Sequence, residues 1–262
     1  MFQSKFATGA MIGAIALMAS SAANAHEFIA SQSPMAAKIG AEATLVLDST
    51  HQAGIPEEAE ELENVAVKIM TAGNSSDIEI VINDNAPNLI GRFDVPETAA
   101  WISAHRAGVV WSQTPDGWKS GGATEHADAI ASTRYEKFAK FLTGGTGDKA
   151  FVTTPIGTKL EIVPLSDPRD TKIGDDAEFR VLLDGHPLTT SVLATYAGFT
   201  DTPNSWAYAT ETLATENGSG IAKVRISAPG LWVVRVSADL PDSEDGVGNH
   251  NLRATLSFAI DG

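Results

Sequence analysis

From residue 159 to residue 259 the chain is a succession of short apolar runs, each broken by a turn signal. That spacing constrains the fold more than anything else in the sequence. The runs fall at 159–163, 178–183, 191–196, 222–227, 231–237 and 252–259, with Asp184-Gly185, Asn217-Gly218 and Pro229-Gly230 between them. Short strands at regular intervals with glycine-bearing turns describe a β-sandwich. Trp232 and Val234 alternate with Val233 and Arg235, as a core face and a more exposed face should.

The first half is also β-rich. Residues 43–47, 65–69 and 78–82 read as strands, and the turn residues 72–76 predict a hairpin joining the last two. Residues 100–105 and 108–112 continue as strands up to the turn Thr114-Pro115-Asp116-Gly117. Residues 124–142 are different. Ile130, Tyr135, Phe138 and Phe141 or Leu142 recur at helical spacing, which predicts a helix that ends at Gly144-Gly145-Thr146-Gly147. The glycines mark an expected boundary, exposed and open to proteases. The expected fold is mainly β: two sandwich modules, 26–145 and 155–262, joined by a short helical segment near 124–142.

The N-terminus carries the sharpest functional signal. One cation, Lys5, precedes an apolar stretch from Phe6 to Met18, and Ala23-Asn24-Ala25 closes the segment. These are the marks of a signal peptide over residues 1–25. The apolar run is shorter than the roughly twenty residues a spanning helix needs, so no membrane insertion is expected. Cleavage after Ala25 makes His26 the first residue of an exported, periplasmic protein. A free N-terminal histidine offers one metal ion two nitrogens, its α-amine and a ring nitrogen.

Composition narrows the function classes. Hydrophobic residues make up 43% of the 262, enough for a buried core, and cysteine is absent, so disulfides and soft thiolate metal sites are excluded. The net charge of −15 becomes −16 once Lys5 is removed, which argues against nucleic acid as a partner. No Gly-x-Ser-x-Gly elbow occurs, and the glycines at 144–147 lack phosphate-loop spacing.

The remaining histidines are weighed by context. His51 lies in a polar loop before Glu57-Glu58, within an acidic run over 57–63 that reads as a solvated face. His105 shares strand parity with Trp101. His126 stands beside Glu125 and Asp128, while His186 and His250 are expected at exposed turns. The expected metal ligands are His26, with His51 and His105 next and His126 in reserve. Imidazole suits nickel, cobalt, copper and zinc alike. The acidic loop Asp239, Asp242, Glu244, Asp245 has the ligands for a hard cation but not the spacing of an EF-hand, and reads better as a solvated hairpin loop.

Several segments together resemble the DUF4198 family of secreted bacterial proteins. They are the start Ala25-His26-Glu27-Phe28, the segment 132–140 with Tyr135, Lys137 and Lys140, the segment 160–168, the segment 181–188, and Pro229-Gly230-Leu231-Trp232. They span most of the exported chain in order. Ile29 stands where the family typically has an aromatic, and Ser49-Thr50-His51 where it often has Gly-His. The resemblance implies a β-rich protein of two modules with an immunoglobulin- or transthyretin-like second half. It also implies a non-catalytic periplasmic role in nickel or cobalt transport, beside a membrane transporter or receptor component. Two other readings stay open: a metal-free extracytoplasmic binding module for a protein or glycan, and a copper enzyme built on an N-terminal histidine.

Overall fold

The computed structural model describes residues 26–200, 208–215 and 218–262. The expected signal peptide and Asn217 of one expected turn lie outside them. The described chain is mainly β. In the first half the strands are β1 Glu27–Ser33, β2 Glu42–Thr50, β3 Val65–Thr71, β4 Asn74–Asp77, β5 Ile80–Ile82, β6 Leu89–Asp94, β7 Ala99–Thr114, β8 Gly117–Ser120 and β9 Ala131–Gly144. In the second half they are β10 Leu160–Pro164, β11 Asp176–Leu183, β12 His186–Pro187, β13 Ser191–Tyr196, β14 Thr210–Leu213, β15 Ile221–Arg225, β16 Gly230–Leu240 and β17 Asn249–Ile260. A one-turn helix, α1 Lys149–Val152, lies between the halves.

Nine strands form one central sheet in the order β14-β13-β16-β17-β9-β7-β3-β4, with β8 also on β7. Side chains alternate across a strand, and here the alternation feeds two cores. Trp101, Phe138, Leu142, Trp232 and Val234 enter one core, shared with β10, β11 and β15. Ile102, Ala139, Phe141 and Val233 enter the other, shared with β1, β2 and β6. The central sheet is thus sandwiched between the four-stranded sheet β1-β2-β6-β5 and a second four-stranded sheet, β10-β11-β12 with β15 on β11.

Each core draws on both halves of the chain, Trp101 and Phe138 in one and Leu231 and Val233 in the other, because both pack on the central sheet. Strand β17 pairs in parallel with β9, Leu252 opposite Glu136 and Leu256 opposite Lys140. Lys140 and Glu161 add a buried ion pair between β9 and β10, at 2.8 Å.

The helix expected over 124–142 is corrected. Residues 131–144 form β9, and turns precede it. Strand β9 runs between β7 and β17, and its second half is buried on both faces. A strand covered on both sides reads as a near-continuous apolar run. The spacing of Tyr135, Phe138 and Leu142 therefore arises without a helical period. The expected hairpin is also redrawn. Strand β3 turns back at Ala72-Gly73 onto β4, while β5 crosses to pair with β6 in the outer sheet.

The glycines after β9 are not a loose linker. Gly144 adopts φ +77° opposite Ala99, and Gly145 is buried and donates its N–H to Pro96 O at 3.1 Å. A Cβ on Gly145 would meet Glu97 O at 2.0 Å. Only Thr146 and Gly147 are exposed.

Candidate metal centre

Strands β1 and β2 pair antiparallel with Glu27 opposite Thr50, so His26 and His51 stand at the same end of the ladder. Their rings lie 4.2 Å apart between centroids, inclined at 59°. The third member comes from the loop after β2. That loop folds back so that the N–H groups of Glu57 and Glu58 both donate to Ser49 O at 3.2 Å. Thr50 Oγ1 accepts from the Gln52 N–H at 2.9 Å, tightening the same turn. The result aims the Glu57 carboxylate at both rings.

Glu57 Oε2 lies 2.7 Å from His51 Nδ1 and 3.2 Å from His26 Nε2. Glu57 Oε1 accepts from the His51 backbone N–H at 2.9 Å. Glu58 reaches the other nitrogen of His26, Nδ1, at 3.1 Å. Ligand atoms of His26, His51 and Glu57 all lie within 4.8 Å of one another, close enough to hold a single metal ion.

The electrostatics suit ligation. His26 is 7% exposed. Burial and then the neighbouring His51 hold its pKa below the ordinary 6.5, so its ring is neutral at neutral pH. Burial opposes the charge on Glu57, yet the hydrogen bonds from the His51 ring and backbone prevail and keep its carboxyl below the usual range. Neutral imidazole and ionised carboxylate are the forms a metal takes.

The structure brings His26 and His51 together and leaves His105 and His126 elsewhere. His105 sits on the opposite face of the central sheet from His26. It stacks on Phe138 at 5.0 Å and meets Glu136 Oε1 at 2.7 Å. His250, expected to be exposed, is partly buried with Nε2 2.9 Å from the other oxygen of Glu136. His126 is near the surface and bonds Ser120 O at 2.7 Å. His186 is exposed in β12, as expected. The acidic loop is committed internally: Asp242 pairs with Arg134 at 2.8 Å, Glu244 also pairs with Arg134, and Asp239 accepts from Asn249 and Asn251.

Sequence reasoning missed Glu57 as a ligand candidate because it stands in an acidic run that looks solvated. The signal was its return spacing from His51 in a short loop rich in turn residues, Gly54 and Pro56.

A family model described as a domain of unknown function (DUF4198) matches residues 23–239. The chain belongs to the DUF4198 family. The match takes in residues of both cores but stops before β17, and the whole His26–His51–Glu57 cluster lies inside it. A search of curated proteins gave no match. DUF4198 membership therefore agrees with the resemblance read from the segments around His26, Tyr135 and Trp232, and assigns no activity.

Proposed function

We propose that this protein is a non-catalytic, exported binder of a divalent transition metal, serving uptake or delivery of nickel, cobalt or copper at a periplasmic transporter or receptor. The observation that carries the reading is the convergence of His26, His51 and Glu57 within 4.8 Å. In the exported form His26 is the first residue, and its α-amine joins the two imidazoles and one carboxylate. Such a nitrogen-rich set with one oxygen suits nickel, copper, cobalt and zinc, with affinity generally highest for copper. Before export a peptide bond occupies that amine, so the full ligand set exists only outside the cytoplasm.

Neutral nitrogens must be available, so binding releases protons and weakens as pH falls below about 6.5, the ordinary histidine pKa. The test is metal analysis of the processed protein purified from periplasm, compared with Glu57→Gln. One equivalent of a transition metal in the parent and a clear loss in the variant support the reading. A metal-free parent that also fails to take up added copper or nickel rejects it.

A further inference from the structure

A cleft of about 480 Å³ opens from the His26 cluster, with His26 and Glu58 at one end and aromatic and basic side chains beyond them. Its aromatic wall comes from Trp111 on β7, Trp118 on β8 and Tyr135 on β9. Its polar wall carries Arg106, Lys137 and Arg253 together with Glu58, Glu60 and Glu61. These three cations are cross-strand neighbours in one row of the central sheet: Arg106 opposite Lys137, and Lys137 opposite Arg253.

Like charges directly opposite each other are destabilising in a sheet, and the chain is strongly acidic overall, so the row stands out. Part of the repulsion is met within the fold. Glu60 lies 2.6 Å from Lys137 and 3.2 Å from Arg106, and Glu27 lies 3.0 Å from Arg253. Arg106 and Lys137 are nonetheless two buried cations ion-paired to the same carboxylate.

Hydrogen-bond donors in the same walls point the same way. Arg106 is 4% exposed, and its Nε is close to Glu60 without an aligned bond. The Trp118 indole Nε1 is also buried without an acceptor. Buried polar groups are normally satisfied, and each exception calls for an explanation. An acceptor-rich anion answers both the unmatched donors and the like-charged row. The two indoles beside it favour a flat apolar body, and the volume falls within the range of small-molecule sites.

We propose that this cleft binds a small planar organic carboxylate, with its carboxyl group beside Arg106 and Lys137 and its ring against Trp111 and Trp118. The cleft shares His26 with the proposed metal centre, but the carboxylate does not need a metal to be bound.

The test is calorimetry on the processed, chelator-treated full-length protein with benzoate and indole-3-carboxylate as probes, and benzamide as the uncharged counterpart of benzoate. At least one carboxylate should bind with Kd below about 1 mM, and benzamide at least about tenfold more weakly than benzoate. Trp118→Phe keeps a ring but removes the N–H, and should weaken binding about threefold to tenfold, the worth of one hydrogen bond. Trp111→Ala, at a half-exposed position that leaves the core intact, should weaken it as well. Glu57→Gln, in the metal cluster but outside the cleft walls, should bind the carboxylate as the parent does, which separates this site from the metal centre. The proposal is overturned if neither carboxylate binds below about 1 mM, if benzamide binds as well as benzoate, or if both tryptophan variants bind unchanged.

Discussion

Replacing Lys140 by methionine tests the buried ion pair that ties β10 to the central sheet. Lys140 Nζ lies 2.8 Å from Glu161 Oε1, with the side chains 3% and 2% exposed. The ammonium also stands 4.6 Å from the centre of the Trp101 ring. Removing it strands a buried carboxylate, an error that costs about 3–5 kcal/mol when one partner of a buried pair is lost. The lower end applies here, because Glu161 keeps two backbone donors, Ile156 N–H at 2.8 Å and Gly157 N–H at 2.9 Å. Methionine fills the stem volume, so little cavity term adds. With a urea slope of about 2–3 kcal/mol per molar, a loss of about 3 kcal/mol lowers the midpoint by roughly 1–1.5 M. The double variant Lys140→Met/Glu161→Gln should cost less than the two single changes together, by about 1–3 kcal/mol of coupling. Urea unfolding followed by tryptophan fluorescence and by far-ultraviolet circular dichroism reads both quantities, and the two probes should report one coincident transition. A single-variant loss below about 1 kcal/mol, strict additivity, or two separated transitions would refute the reasoning.

Three further outcomes follow from the same geometry. Burial works against the Glu60 charge, but Lys137 and Arg106 outweigh it and hold its pKa below the ordinary 4.5. Its stabilisation is therefore complete above pH about 4.5 and lost as pH falls through the lowered folded value. In Glu60→Gln the midpoint-against-pH curve should lose part of its acid slope below 4.5, and an unchanged slope would contradict the pairing. Gly145→Ala drives a Cβ into Glu97 O, so thermal unfolding should show a loss of about 1–3 kcal/mol from the strained turn; a neutral result would mean the turn relaxes freely. His105→Ala and His126→Ala should leave copper or nickel affinity within about twofold of the parent by calorimetry, since neither side chain reaches the His26 cluster; a tenfold loss in either would redraw the site.

Much of the β architecture was legible because its strands carry their own punctuation. Turn pairs such as Pro229-Gly230 bracket runs whose alternate residues face different surroundings, and Trp232 and Val233 do enter different cores. Strand β9 was not legible, because a central strand buried on both faces has lost the alternation that identifies strands. Its buried Lys137 and Lys140 would also look like the polar positions of an amphipathic helix. For the site, His26 and His51 were visible as single residues, and their meeting follows from the β1–β2 register. His105 was misplaced because strand parity fixes which residues share a face without saying which face carries the site. Glu57 was hidden because its role depends on a loop that doubles back onto Ser49, and no periodicity reports that.

The central claim is a metal centre completed by the N-terminal amine of His26. Calorimetric titration with copper(II) and nickel(II) should compare three proteins: the processed form starting at His26, the same form with His26→Ala, and the form with one extra residue before His26. The account predicts binding tighter than about 1 µM for the processed form, at least about tenfold weaker binding with the extra residue, and a larger loss for His26→Ala. Equal affinities in all three, or none tighter than about 1 µM, would contradict it.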